Sequence, residues 1–111
     1  MNMIDIDTID MLKDVLADEF NDLIRVFLED AEKHVDEIKL AIEASDLSAI
    51  EKSAHTLKGS SSNIGALGLS SACDNMVKAC RANVAEEFFD LFVHIESGLE
   101  QVKPILVSHM E

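Results

Sequence analysis

Positive charge is scarce in this 111-residue chain, where nine Lys+Arg stand against 22 Asp+Glu for a net charge of −13. Nucleic-acid binding depends on cations that neutralise phosphates, so no nucleic-acid partner is expected. Long apolar runs are also missing. None approaches the ~18–20 residues that a membrane-spanning helix needs, and no membrane partner is expected. The first twenty residues hold Asp5, Asp7, Asp10, Asp14, Asp18 and Glu19 against a single Lys. That is the reverse of a signal peptide's basic start, so the expected location is the cytoplasm. Cysteine is limited to Cys73 and Cys80. On a helix, seven positions separate them by about 10.5 Å, too far for the ~7 Å reach of a disulfide. They read as two buried thiols on one apolar stripe in a reducing compartment. With one Pro, four Gly and no alternating strand pattern, the chain reads as all-helical.

What is present suits a packed core, since 48% of the residues are apolar and 28% charged. The length predicts one domain over residues 1–111. A short cap helix is expected in about 1–18, from about Thr8 to Leu16 with Asp7 or Thr8 as its N-cap. Residues 19–111 then supply four longer helices. The first of these runs from about Glu19 to Ala44, with Phe20, Ile24, Phe27, Ala31, Val35, Ile38 and Ala41 inward. Asp46 can cap the next, about Leu47 to Asn63, whose seam is Leu47, Ile50, Ala54, Leu57, Ser61 and Ile64. Gly65 and Gly68 mark a turn. A helix from about Leu69 to Ala82 places Leu69, Cys73, Met76 and Cys80 inward. The last begins near Ala85 with the seam Phe88, Phe92, Ile95, Leu99, Val102 and Leu106, and Pro104 kinks or ends it. Short connections make neighbours antiparallel, giving an up-down four-helix bundle with a small extra N-terminal helix.

The informative residue is His55. At 100° per residue it points about 130° away from its helix's seam, toward water. Lys52, Lys58, Gly59 and Ser62 share that outer face. Gly59 costs a helix interior ~1 kcal/mol relative to Ala. One explanation is clearance, which lets a second macromolecule approach the imidazole; the other is a surface His beside a tolerated Gly. Charge distribution favours the first. Residues 52–85 hold Lys52, Lys58, Lys78 and Arg81 against Asp74 alone, a net of +3 that leaves −16 on the rest of the chain. A cationic island around an exposed His suits an anion that comes and goes.

The stretch Ala54-His55-Thr56-Leu57-Lys58-Gly59-Ser60-Ser61-Ser62-Asn63-Ile64-Gly65 resembles the signature of histidine-containing phosphotransfer domains. There a helix carries His, then Lys-Gly-Ser three to five residues on, and a second Gly at +10. Cys73 and Arg81 also sit where some relatives place such residues, and the likeness covers nearly the entire chain. It implies a phosphorelay carrier. His55 would take a phosphoryl group from a receiver domain's aspartyl phosphate and pass it to another receiver, linking a hybrid sensor kinase to response regulators. Lys58 would sit near the phosphoryl oxygens, Gly59 would give the receiver room, and Ser60 or Ser62 would hydrogen-bond locally. Relatives often aim a polar residue, frequently Gln, from the following helix at the His ring. Met76 and Val77 occupy that region here, which leaves Lys78 or Arg81 as candidates.

An imidazole, with an unperturbed pKa near 6.5, is substantially neutral and nucleophilic at cellular pH. Phosphoryl transfer needs positioning and cations, and its loose transition state spreads charge over the equatorial oxygens. No Gly-rich nucleotide loop and no carboxylate cluster for Mg²⁺ stands in the sequence. No cofactor of its own is expected, the Mg²⁺ and acceptor Asp belonging to the receiver, and the protein is expected to be a monomeric carrier rather than an enzyme. Apolar residues of the first helix, Ile9, Leu12 and Leu16, either join the docking surface or close the bundle. A docking adaptor that binds receivers without carrying phosphate is the alternative. A bundle metal site is disfavoured because no Glu precedes His34, His55, His94 or His109 by three positions. His34 reads as partly buried or surface, and His94 and His109 as solvated. Ser60, Ser61 and Ser62 do not assemble an acyl-transfer triad with His55.

Overall fold

Asp5 starts the first helix. Its carboxylate accepts hydrogen bonds from the Thr8 N–H at 3.3 Å and the Thr8 hydroxyl at 2.8 Å. An N-cap of this kind satisfies amides left without helical partners, and α1 runs Ile6–Leu16. The cap is therefore Asp5 and not Asp7 or Thr8; Thr8 is the residue whose amide is capped. The computed structural model describes residues 4–111, so the first three residues of the expected cap segment lie outside the described residues. Ile9 is fully buried, and Leu12 and Leu16 pack half-buried on the core. Ile6, Met11 and Val15 are the large apolar side chains that α1 leaves exposed.

A 3-10 turn at Ala17–Glu19 leads into α2, Phe20–Glu43. Its 24 residues span about 36 Å, most of the molecule's 42 Å long dimension. The buried side chains of α2 are Phe20, Ile24, Phe27, Ala31, Val35, Ile38 and Ala41, the stripe its periodicity predicts. Asp46 then caps α3, Leu47–Asn63, accepting from the Ala49 N–H at 3.1 Å. The seam of α3 buries Ile50, Ala54, Leu57, Ser61 and Ile64, with Leu47 half-buried at its start.

Two boundaries differ from expectation. Helix α4 spans Leu67–Ala82, so Gly68 belongs to its first turn and not to the preceding loop. After a left-handed Asn83 and a 3-10 turn at Ala85–Glu87, α5 runs Phe88–Ser108 with Pro104 inside it. Proline removes one N–H, which strands the carbonyl four residues earlier. Glu100 and Pro104 are both exposed, so that carbonyl can turn to water and α5 continues past the proline.

Helices α2, α3, α4 and α5 close into a ring of antiparallel neighbours, the up-down four-helix bundle, with α1 over one end. Cys73 and Cys80 are buried and unbridged, and burial pushes the Cys73 thiol up to about 12. Burial and the Glu51 charge also raise the Cys80 thiol. Both remain protonated packing groups.

The turn between α3 and α4 holds α1 in place. Gly65 is buried with φ +84, and its carbonyl accepts the Asp5 N–H at 2.8 Å. A Cβ here would lie 2.9 Å from the Asp5 carbonyl oxygen and 3.3 Å from the Thr8 Cβ. Gly65→Ala should therefore destabilise the protein by about 1–3 kcal/mol, combining left-handed strain with overpacking. Denaturant unfolding measures this, and a loss under about 0.5 kcal/mol would show that the segment at Asp5 is not clamped there.

Candidate functional site

Because α3 turns Ala54 and Leu57 into the core, His55 emerges on the opposite side, exposed and midway along the helix. Its ring makes no hydrogen bond and no ion pair among the described residues. Beside it lies an open hollow of about 430 Å³ lined by Ser48, Glu51, Lys52, His55 and Thr56. The larger groove, about 580 Å³, runs between α4 and α5 and does not include His55. Among the described residues no group of His, Cys, Asp and Glu is arranged to hold a metal ion.

Gly59, one turn beyond His55, is also exposed, and a Cβ built on it would meet nothing within 4 Å. The two glycines of the signature thus differ physically. Gly65 is demanded by backbone conformation and crowding, whereas nothing inside the molecule requires a glycine at 59.

The charges around His55 are not the free cationic island expected. Asp74, the single acid in that stretch, sits between two lysines. Lys58 Nζ lies 2.9 Å from Asp74 Oδ1, and Lys78 Nζ lies 3.0 Å from Oδ2. Glu51, one residue before the 52–85 stretch, accepts from Arg81 Nε at 3.3 Å through its Oε2. Lys78 and Arg81 therefore engage acids, and neither orients the imidazole through any contact among the described residues. Met76 and Val77 are buried in the core. Of the remaining candidates, Lys52 is exposed and makes no ion pair among the described residues. Ser60 Oγ donates to the Leu57 carbonyl at 3.2 Å, while Ser62 is exposed without such a bond.

Several contacts here had little or no signal in the sequence. The hydroxyl of Ser70 on α4 donates to the Lys58 carbonyl at 3.0 Å, tying α3 to α4 at the lysine's own backbone. Ser53, buried beside the seam, donates to Glu37 of α2 at 3.1 Å. Only the Asp74–Lys78 contact has a readable signature, the i,i+4 spacing. The other histidines lie away from this face. His34 is half-buried with Nδ1 3.9 Å from Glu37 Oε2, and His94 is exposed along the α4–α5 groove. His109, expected to be solvated, is half-buried with Nδ1 2.9 Å from the Ile105 carbonyl.

The Hpt domain family model matches residues 22–104, which include α3, α4 and nearly all of the bundle. The chain belongs to the Hpt domain family. Its fold is similar to that of histidine-containing phosphotransfer protein B from Pseudomonas aeruginosa, at 26% identity and a TM-score of 0.92 over 96% of this chain and 92% of that one. A rice protein described as a histidine-containing phosphotransfer protein shares the fold at 17% identity and a TM-score of 0.84, over 94% of this chain and 78% of its own. No curated protein matches the sequence. Hpt domains are phosphocarriers that interact with receiver domains of kinases and response regulators, and this Hpt chain is a phosphorelay intermediate.

Hydrogen bonds from Lys58 first, and from Lys78 second, hold the Asp74 carboxyl below its ordinary range. A lowered carboxylate stabilises the fold above its unfolded pKa, and that contribution disappears as pH falls through the folded value. The stability difference between the wild type and Asp74→Asn should accordingly shrink on acidification below the usual carboxylate range. Urea unfolding over an acid pH series checks this; a difference that is constant or grows toward acid would contradict the pairing.

Proposed function

We propose that His55 is the residue on which this phosphorelay intermediate carries its phosphoryl group. The observation that supports this most is the pairing of an exposed, unengaged imidazole with an exposed glycine one turn away for which internal packing gives no reason. A neutral ring nitrogen attacks the phosphorus of a receiver's aspartyl phosphate. The P–N bond forms as the P–O bond to the aspartyl oxygen breaks, and the electron pair leaves with the receiver's carboxylate. The other ring nitrogen retains its proton until the product titrates. Reversal of the same step onto a second receiver unloads the carrier.

The remaining side chains have supporting tasks. Lys58, on the same outer face, offers its ammonium to the phosphoryl oxygens, whose shared charge makes a nearby cation effective. Gly59 leaves the approach clear. Lys78 and Arg81 neutralise Asp74 and Glu51 at the rim, and Ser60 steadies the helix backbone. Mg²⁺ belongs to the receiver, so the carrier has no cofactor of its own. The receivers are those of a hybrid sensor kinase and of response regulators. The docking surface centres on His55 and takes in exposed apolar side chains of α1, which are Ile6, Met11 and Val15. Ile9, by contrast, closes the bundle. The whole chain acts as one monomeric domain in the cytoplasm; no helix among the described residues is long and apolar enough to cross a membrane.

Incubation with a radiolabelled phospho-receiver should label the wild type in an acid-labile, base-stable form, as a phosphoramidate requires. His55→Ala should fold normally and take up no label, whereas label persisting in that variant would place the carrier elsewhere. Receiver binding without any label on the wild type would favour the docking-adaptor reading. Gly59→Gln should raise helix stability by up to about 1 kcal/mol while slowing transfer by crowding the approach. Transfer at the wild-type rate would show that clearance at residue 59 is irrelevant.

A further inference from the structure

We propose that Asp74 is an internal competitor for the Lys58 ammonium, holding it while His55 is unmodified and yielding it to the phosphoryl group once His55 is loaded. This rests on His55 being the phosphoryl carrier. The consequence is that Asp74 sets how tightly the carrier retains its group.

Four features of the site support an exchange of this kind. Asp74 offers one oxygen to each lysine, Oδ1 to Lys58 at 2.9 Å and Oδ2 to Lys78 at 3.0 Å. When Lys58 leaves, the carboxylate keeps Lys78 and is never stranded without a partner. Next, the Lys58 backbone is anchored, because its carbonyl accepts the Ser70 hydroxyl at 3.0 Å. The exchange therefore requires only rotation of the lysine stem, whose side chain is 42% exposed. Third, Lys58 lies three positions from His55, where Cβ atoms on a helix are about 5–6 Å apart, so a four-carbon stem reaches both destinations. Last, a phosphoryl group carries up to about two negative charges over three oxygens, against one charge on a carboxylate. The loaded state thus pulls harder on the ammonium than Asp74 does.

Each loading event must break the Lys58–Asp74 pair, so the pair lowers phosphoryl affinity and favours release to the next receiver. Because the pair is partly exposed, its effect is limited to what such pairs contribute, about 1.5- to 5-fold in an equilibrium. The test measures the ratio of loaded to unloaded protein by intact mass at fixed concentrations of potassium phosphoramidate and ammonium. This probe needs no partner protein. Asp74→Asn should raise the ratio by about 1.5- to 5-fold. Lys78→Ala should lower it, since Asp74 then grips Lys58 alone. In a Lys58→Ala background, Asp74→Asn should raise the ratio clearly less than it does when Lys58 is present, because the ammonium for which the two anions compete is gone. Thermal melts accompany each variant to confirm that it is folded.

An unchanged or lower ratio in Asp74→Asn overturns the proposal, as does an equally large rise when Lys58 is absent. A wild type that never loads, or loading that survives His55→Gln, removes the carrier assignment and this inference with it. Normal His55 loading with no response to Asp74→Asn removes the inference alone.

Discussion

The apolar seam of α3 is the constraint on which the site depends. Ile50, Ala54, Leu57, Ser61 and Ile64 recur at steps of three and four, and the bundle gains its packing energy only if all of them face inward. A helix has one rotational setting that achieves this. With that setting chosen, His55 has no route into the core and stands in solvent. Residues 52, 58, 59 and 62 are brought around it by the same rotation. Exposure of the imidazole is thus a by-product of burying its neighbours. It requires no separate stabilisation and survives loss of the surface charges.

The opposite ends of the signature sequence divide two kinds of work. At Gly65, positive φ and the nearness of Asp5 join the α3–α4 turn to the start of α1, a structural role that an added methyl would disrupt. At Gly59 the helix accepts the intrinsic penalty of glycine with no internal return, because a side chain there would meet open space. Such a conflict between local propensity and local need marks a position shaped by something outside the chain. Around it the electrostatics are local pairs, Lys58 and Lys78 with Asp74 and Arg81 with Glu51. A net charge summed over a window of sequence conceals that arrangement.

Much of the fold was legible because burial obeys helical periodicity. The inward residues of α2 and α5, and those of α3 apart from the half-exposed Leu47 and the additionally buried Ser53, are the ones their spacing indicates. Helix ends were less legible. Asp5 caps α1 because Thr8 lies in reach of its carboxylate, yet Asp7 stands equally plausibly in sequence. Pro104 is a strong local breaker whose cost is relieved by its solvent-facing position, which only packing reveals. In the site, the orientation of His55 and the local bond of Ser60 followed from one helix. The Lys58–Asp74 and Arg81–Glu51 pairs, and the Ser70 bond to Lys58, depend on the register between α3 and α4, and no single-helix pattern contains that register.

Among four imidazoles, we propose that the one set outward by the α3 seam carries the phosphoryl group. Nitrogen-15 and phosphorus-31 NMR of the 111-residue protein treated with phosphoramidate tests this without any substitution. The expected result is a single phosphoramidate resonance and a perturbed ring-nitrogen pair that assigns to His55, with the rings of His34, His94 and His109 unshifted. A phosphorus–nitrogen bond on any of those three, or modification spread evenly over all exposed rings, would contradict it.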